Sequence, residues 1–539
     1  MTFCLIRERW IPVVDTAGRR HDMAPADITE IGDVEFAWGR ADLNVATYEL
    51  LIGLLTVALP VYSRGDWHKR WKSPPTRAEL ADAFAPLIPW FQLDGDGPRF
   101  MQDLQDLAGE DLPPDGLLIN APGANAVRNG TVLFVRDDLH AILSPAAAAI
   151  ALFALQAFAP TGGAGHRTSL RGGGPLTTLV RLHGAVPGSE AALWRRLWLN
   201  TPELSSRDDE KLPPMSSSDS SGRVFPWCRP TPTSERGQAP FEIGAAGAHP
   251  AQAMFGMPRR IRLQFAENTD AIACPITGRI SPVVLAGFRT QNYGINYGVS
   301  WRHPLTPYEQ RAGGEVLPTH PKSSRYGYKD WSPRLYGIAF HDAAGAGRSL
   351  SENLASIPSR LRNQRVTVSA AGYVMDNMKV LDYLEAQVPW IIMADETRQG
   401  MLAALADELV SSADRAVAAA RSALSQSFKA LGADKPTSLV QTASEAFWIT
   451  TEQPFRDSLD RFANLADDAD ADVINAARNA ISDSWALMLR RQALAVFDET
   501  VPPQTLFSLK PEKQKSIVDA RARLLRALSR DTSKPKEAA

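Results

Sequence analysis

From Leu402 onward, apolar side chains return every three or four positions: Leu402, Leu405, Leu409, Ala413, Ala416, Ala420, Leu424, Phe428 and Leu431. That spacing lays them along one stripe of a single long helix. Gly432 and Pro436 follow as stop signals. A second helical stretch covers Leu439–Leu465, with an interruption expected near Pro454. A third runs over Asp472–Asp498, with Ile474, Ala477, Ile481, Trp485 and Met488 on one face, and a fourth covers Lys513–Arg530. Four amphipathic helices with short connections predict an antiparallel four-helix bundle.

The first 390 residues carry short apolar runs broken by many Pro and Gly. Leu5-Ile6 and Trp10–Val13 read as an opening strand and turn, and Thr47–Leu59 as a helix. Thr177–His183 and Ile261–Phe265 read as strands. The expected fold class is α+β: a large irregular mixed domain over residues 1–390, then the bundle over 391–539. Ser205–Gly222 is rich in Ser, Asp and Pro and reads as a mobile surface loop, with Leu212 and Met215 as its only apolar anchors.

Composition narrows the function classes. With 44% hydrophobic and 22% charged residues the 539-residue chain has a globular composition, and its net charge of −2 gives no global basic signal. A nucleic-acid role therefore needs local basic patches. Cys4, Cys228 and Cys274 stand far apart, which points away from a disulfide framework and toward a reducing cytoplasm. No basic n-region leads the chain, and the longest apolar candidate, Ala146–Ala159, is shorter than the roughly 20 residues a bilayer demands. No membrane role is expected.

Several segments hold chemistry-bearing side chains. Thr161–Pro175 contains Thr161, Gly162, Gly163, Ala164 and Gly165 beside Arg167 and Arg171. Glycines let backbone N–H groups approach a phosphate or a groove floor, and the arginines suit an anionic backbone. No Gly-Lys-Ser/Thr closes a Walker loop there, and a plain flexible loop fits the same composition. Gly287–Pro307 interleaves Arg289, Gln291 and Asn292 with Tyr293, Tyr297 and Trp301, which fits groove reading or a hairpin with packed aromatics. In Gly372–Lys379, amide and apolar groups stand together at Asp376, Asn377, Met378 and Lys379. Such a segment can enter a duplex, or simply cap a helix through Asp376 or Asn377. The basic C-terminal stretch is a phosphate-tracking strip or a solvated helix face.

Cys274-Pro275-Ile276-Thr277 offers only one thiol of a zinc knuckle, so no metal site and no cofactor are expected. No nucleophile elbow, HExxH or Cys–His arrangement occurs, so no catalytic residues are assigned and a non-enzyme is expected.

Taken in order, the WIPV at Trp10–Val13, RFMQ at Arg99–Gln102, GGAGHRTSLRGGGPLTTLVR, GYVMDNMK and the helical end resemble the large subunit (CasA) of the type I-E CRISPR Cascade complex. The resemblance implies that guide RNA reads the target by base pairing, while this subunit reads the short flanking motif (PAM) in double-stranded DNA and begins strand separation. It implies a PAM-facing glycine loop at Thr161–Gly165, a finger near Asn292, where some relatives carry Lys, and a wedge at Asp376–Met378. A loop near Asn129, Phe134 and Arg136 is implied to anchor the subunit at the guide RNA 5′ end. Implied partners are the backbone, small and guide-end-capping subunits and the CRISPR helicase-nuclease. The alternative is a helical-bundle protein-interaction scaffold that does not read DNA.

Overall fold

The computed structural model describes residues 3–122, 129, 141–162, 165–182, 192–207, 210–235, 237–311, 314–322, 325–336, 347–433, 437–466 and 468–530. The chain is mixed α/β with a helical C-terminal region. It forms two compact units, one from Met1–Arg325, His341–Leu361 and Val366–Gln387, the other from Tyr326–Phe340, Arg362–Arg365 and Val388–Ala539.

The first unit is built around the helix Ala41–Ala58, which begins six residues before the predicted Thr47 and is buried over nearly its whole length. A helix apolar on every side belongs inside a core. It is long and apolar enough by composition to cross a membrane, unlike the shorter helix at Pro145–Phe158, yet here it is enclosed by protein. It packs on that second helix, on Ala192–Trp198 and on the turn Pro250–Phe255. Phe91, Phe100, Phe153, Trp227 and Phe255 fill the space alongside with ring-to-ring contacts and are all fully buried.

Among the described residues, short sheets surround this core. Ile11–Asp15 lies between Arg20–Met23 and Val34–Phe36, so Leu5-Ile6 precedes the opening strand as a turn. Arg260–Glu267 pairs antiparallel with Val283–Gln291 in the register Arg260↔Gln291, Leu263↔Phe288. Gln364–Asp376 sits between Lys379–Ile392 and Thr177–Leu182, pairing antiparallel with the latter from Val366↔Leu182 to Ala371↔Thr177. The expected loop at Ser205–Gly222 is tied down in places. Leu212 N–H donates to the Tyr62 hydroxyl at 3.3 Å, Trp90 Nε1–H donates to Met215 O at 3.2 Å, and Ser221 is buried.

The second unit carries helices Glu396–Leu431, Thr437–Ala463, Ala471–Thr500 and Pro511–Arg530. The stripe from Leu402 to Phe428 is buried as its spacing requires. Asp395 caps the first helix by accepting from Arg398 N–H, and Gly432 ends it in the left-handed region at φ 92°. The expected break at Pro454 does not occur, because Thr437–Ala463 continues through it. Proline costs a helix interior about 3 kcal/mol. Burial of Phe447, Phe455, Leu459 and Phe462 on the same helix offsets that cost. A further helix, Tyr328–Leu335, packs on the first two, with Tyr328 stacked 4.4 Å from Phe455. Sequence periodicity does not reveal it, since eight residues with Pro333 inside give too short a pattern.

Candidate nucleic-acid interface

The segment expected as a wedge is the tip of a β-hairpin. Gln364–Asp376 and Lys379–Ile392 are neighbouring strands joined by two residues, Asn377 at φ 46° and Met378 at φ 65°. Two consecutive positive φ values mark the type I′ turn, whose twist matches that of the flanking strands. This overturns the helix-cap reading, since a strand follows the turn. Asn tolerates the left-handed region, whereas a Met there costs roughly 1–2 kcal/mol. Asp376, Asn377, Met378 and Lys379 are all exposed. Lower down, the hairpin is fixed: Tyr373 donates its hydroxyl proton to buried Asp42 and meets the Tyr383 ring at 4.9 Å.

The glycine-rich segment is drawn closed at its neck. Ser169 N–H donates to Ala159 O at 3.0 Å and Gly174 N–H to Phe158 O at 2.8 Å. Thr161 and Gly162 are exposed, while Gly163 and Ala164 lie outside the described residues. Gly165 has φ +85° and accepts a hydrogen bond from Tyr293 N–H at 2.8 Å, which sets the loop directly beside Asn292. The far end of the segment meets the hairpin: a Cβ on Gly174 (φ +63°) would lie 2.7 Å from Tyr373 O, and one on Gly173 would lie 3.2 Å from the Met378 sulfur. The glycine-rich segment therefore reaches both other expected elements, through Gly165 at one end and Gly173 and Gly174 at the other.

The two loop arginines are both engaged within the protein, Arg171 fully and Arg167 in part. Arg171 is 2% exposed and pairs bidentately with buried Glu49, Nη1 to Oε1 at 3.0 Å and Nη2 to Oε2 at 2.7 Å. Thr177 and Thr306 accept further bonds from it. A charge taken out of water is retained only with such a set of partners. His303 lies in the same cluster, and burial and the Arg171 charge hold its imidazole well below the usual range. Arg167 donates to Ser234 through Nε and Nη2, both at 2.9 Å, and so staples the loop to its neighbour. Arg171 is withdrawn from the DNA-binding set for this reason.

In the finger region Arg289 is paired with Asp111 at 2.8 Å, Gln291 stands opposite Arg260, and Asn292 is exposed. Asn129 is an exposed turn residue, while Phe134 and Arg136 lie outside the described residues. Cys274 is buried and free.

Between the glycine loop and the hairpin tip opens a cleft of about 610 Å³. Thr161 and Gly162 form one wall, Met378, Lys379 and Val380 another, and Phe288 and Ile261 the apolar floor. Its lining includes two full cations, Arg259 and Lys379, and no carboxylate among the described residues. His166 also lines it, with its pKa pushed down by burial and the Arg259 charge, so the ring is neutral at pH 7. An apolar-floored cleft whose described lining carries full charges of positive sign is suited to an anion with flat, stackable groups. Arg259 was missed by sequence reading. Its only signal there is position, one residue before a strand whose next two arginines both find acids.

The family CRISPR-associated protein Cse1 matches residues 5–496 of the chain. The fold is similar to that of Thermus thermophilus CasA, at 18% identity and a TM-score of 0.67, with 98% of this chain and 100% of that one covered. It is likewise similar to Thermobifida fusca Cse1, at 17% identity and a TM-score of 0.69, with 99% of each chain covered. A chain of a CRISPR RNA-guided surveillance complex matches at 16% identity and a TM-score of 0.56, covering 97% of this chain and 99% of that one.

Proposed function

The chain belongs to the CRISPR-associated protein Cse1 family, and from that membership we propose that it is the large, non-catalytic subunit of a type I-E CRISPR surveillance complex. In this role it reads the PAM in double-stranded target DNA, starts strand separation for the guide RNA, and recruits the helicase-nuclease. Its helical C-terminal region serves as an antiparallel four-helix bundle that docks other subunits, and Asn129, Phe134 and Arg136 anchor it near the guide RNA 5′ end.

The strongest support is the convergence of exposed loop and exposed hairpin tip on one cationic cleft. Phosphates are drawn to the cations, while Asn377 and Met378 stand at the end of a turn too short to fold away. Opening one DNA step costs about 1.4 kcal/mol, and the guide heteroduplex that follows is nearly isoenergetic with the duplex displaced. An amide and a thioether at the first step are enough to bias that balance.

The test uses the chain assembled with guide RNA and backbone subunits on a PAM duplex carrying a fluorescent base beside the PAM. Asn377→Gly keeps the left-handed turn and removes the amide, so slower opening by roughly tenfold is expected for the loss of one edge contact. Opening at the wild-type rate would sink the wedge role.

A further inference from the structure

Three arginines, at 259, 260 and 262, stand at the start of the strand Arg260–Glu267, and their fates differ. Arg260 is paired with buried Asp103 at 2.6 Å, and Arg262 with Asp106 at 3.0 Å. Arg259 makes no ion pair among the described residues. Its Nε and Nη2 donate instead to backbone carbonyls, those of Arg167 and Pro160. Those two bonds orient the guanidinium plane and leave Nη1 as its remaining edge, within 3.3 Å of where a Gly162 Cβ would stand. A glycine at 162 places no side chain over Nη1 or over Nη2, which a Cβ there would approach to 3.2 Å. The guanidinium is also a lining group of the cleft between loop and hairpin tip.

The strand register adds a second observation. Arg260 stands opposite Gln291, so Arg259 is next along toward Asn292. At Gly294 a Cβ would lie 3.2 Å from the Arg259 Cα, so the two chain segments run in contact. Asn292 itself is uncharged, and Arg289 is neutralised by Asp111. Among the described residues Arg259 is thus the cation that this side of the cleft presents, and Lys379 of the hairpin lines the same cleft. Burial lowers its pKa to about 10, which leaves it fully charged at neutral pH. A cation held without an acid in a desolvated place lacks a counterion, and a polyanion supplies one.

We propose that Arg259 is the fixed anion anchor of the cleft, its Nη1 edge hydrogen-bonding one backbone phosphate of the duplex held between the glycine loop and the hairpin tip. This rests on the DNA-reading function given above. Because both carbonyl bonds are already made in the free protein, little side-chain order remains to be lost on binding. The contact is independent of sequence and sets where along the duplex the hairpin tip lands.

Binding of a PAM duplex to the assembled complex, measured over a range of salt, tests the anchor. Arg259→Gln should weaken binding by about tenfold and reduce the slope of log K against log salt by about 0.9, the share of one phosphate. Arg259→Lys, which keeps the charge, should retain the slope. A folded Arg259→Gln with wild-type slope would mean that the side chain only staples the Pro160 and Arg167 carbonyls, and the anchor falls. If the neutral variant does not fold, single methylphosphonates along the duplex compare wild type with Arg259→Lys. One position should then lose affinity by a different factor in the two chains, and identical profiles overturn the proposal. Failure of the underlying DNA-reading function looks different: the wild type itself would show no PAM-dependent binding.

Discussion

A Cβ atom on Gly165 would lie 2.6 Å from the Cβ of Asn292, so the glycine loop and the segment after strand Val283–Gln291 meet through a missing side chain. Gly165→Ala adds that atom at φ +85° and should cost about 1–2 kcal/mol from backbone strain alone, plus displacement of Asn292. Asn292→Gly in the same chain relieves the collision but not the strain. The double variant is therefore expected to be less destabilised than the sum of the singles, read from denaturant midpoints. Simple additivity would show that the two residues do not touch.

Met378 at φ 65° holds a position where glycine is the relaxed choice. Met378→Gly should keep or raise stability, by up to about 1 kcal/mol. Strand opening on a PAM duplex should fall at the same time, since the apolar tip is gone. Thermal melting and opening kinetics on one preparation check the two signs together, and a variant that opens DNA normally removes Met378 from the wedge.

The Arg171–Glu49 pair is buried on both sides, with side chains 2% and 1% exposed. Glu49→Gln leaves a guanidinium buried without its counter-charge and should cost about 3–5 kcal/mol. Arg171→Met combined with Glu49→Gln should recover part of that loss. In a salt titration of DNA binding below the melting transition, neither change should alter the slope, because Arg171 is buried against Glu49. A reduced slope would return Arg171 to the DNA-binding set.

His249 is buried, accepts from Ala251 N–H at Nδ1 (3.0 Å) and donates from Nε2 to Glu210 O (2.8 Å). Those partners fix the neutral ring with its proton on Nε2. Burial and the Arg223 charge hold its pKa down at about 4, against 6.5 for a free imidazole. Above pH 6.5 neither folded nor unfolded chain takes up the proton. Below it the unfolded chain does and the folded one does not, so stability falls from pH 6.5 down to about 4. At pH 5 this site should account for a loss of about 2 kcal/mol. His303 adds in the same direction. Melting curves from pH 8 to pH 5 should flatten in His249→Asn, and an unchanged pH profile would refute the assignment.

Periodicity made the long C-terminal helices legible, because a stripe from Leu402 to Phe428 leaves few other ways to bury it. Charge was less legible. Arg171 and Arg259 look alike in sequence, and only the fold brings Glu49, 122 positions away, to one of them and no acid among the described residues to the other. The turn at Asn377 and Met378 was not legible as a hairpin tip, since Asn-Met lacks the glycine that usually announces a type I′ turn. Short elements such as Tyr328–Leu335 depend on aromatic partners such as Phe455, far along the chain, which no local pattern reveals.

A two-residue turn has no slack. One residue added between Asp376 and Lys379 would shift the register or force a bulge, and a shifted register turns every later side chain of Lys379–Ile392 to the opposite face of the sheet. Tyr383, now against Tyr373, would then point away from it. The identities at 377 and 378 can change within what a left-handed turn tolerates, but the length between the strands cannot. Relatives of this chain are thus expected to differ in the letters at the tip while keeping the ruler that carries them.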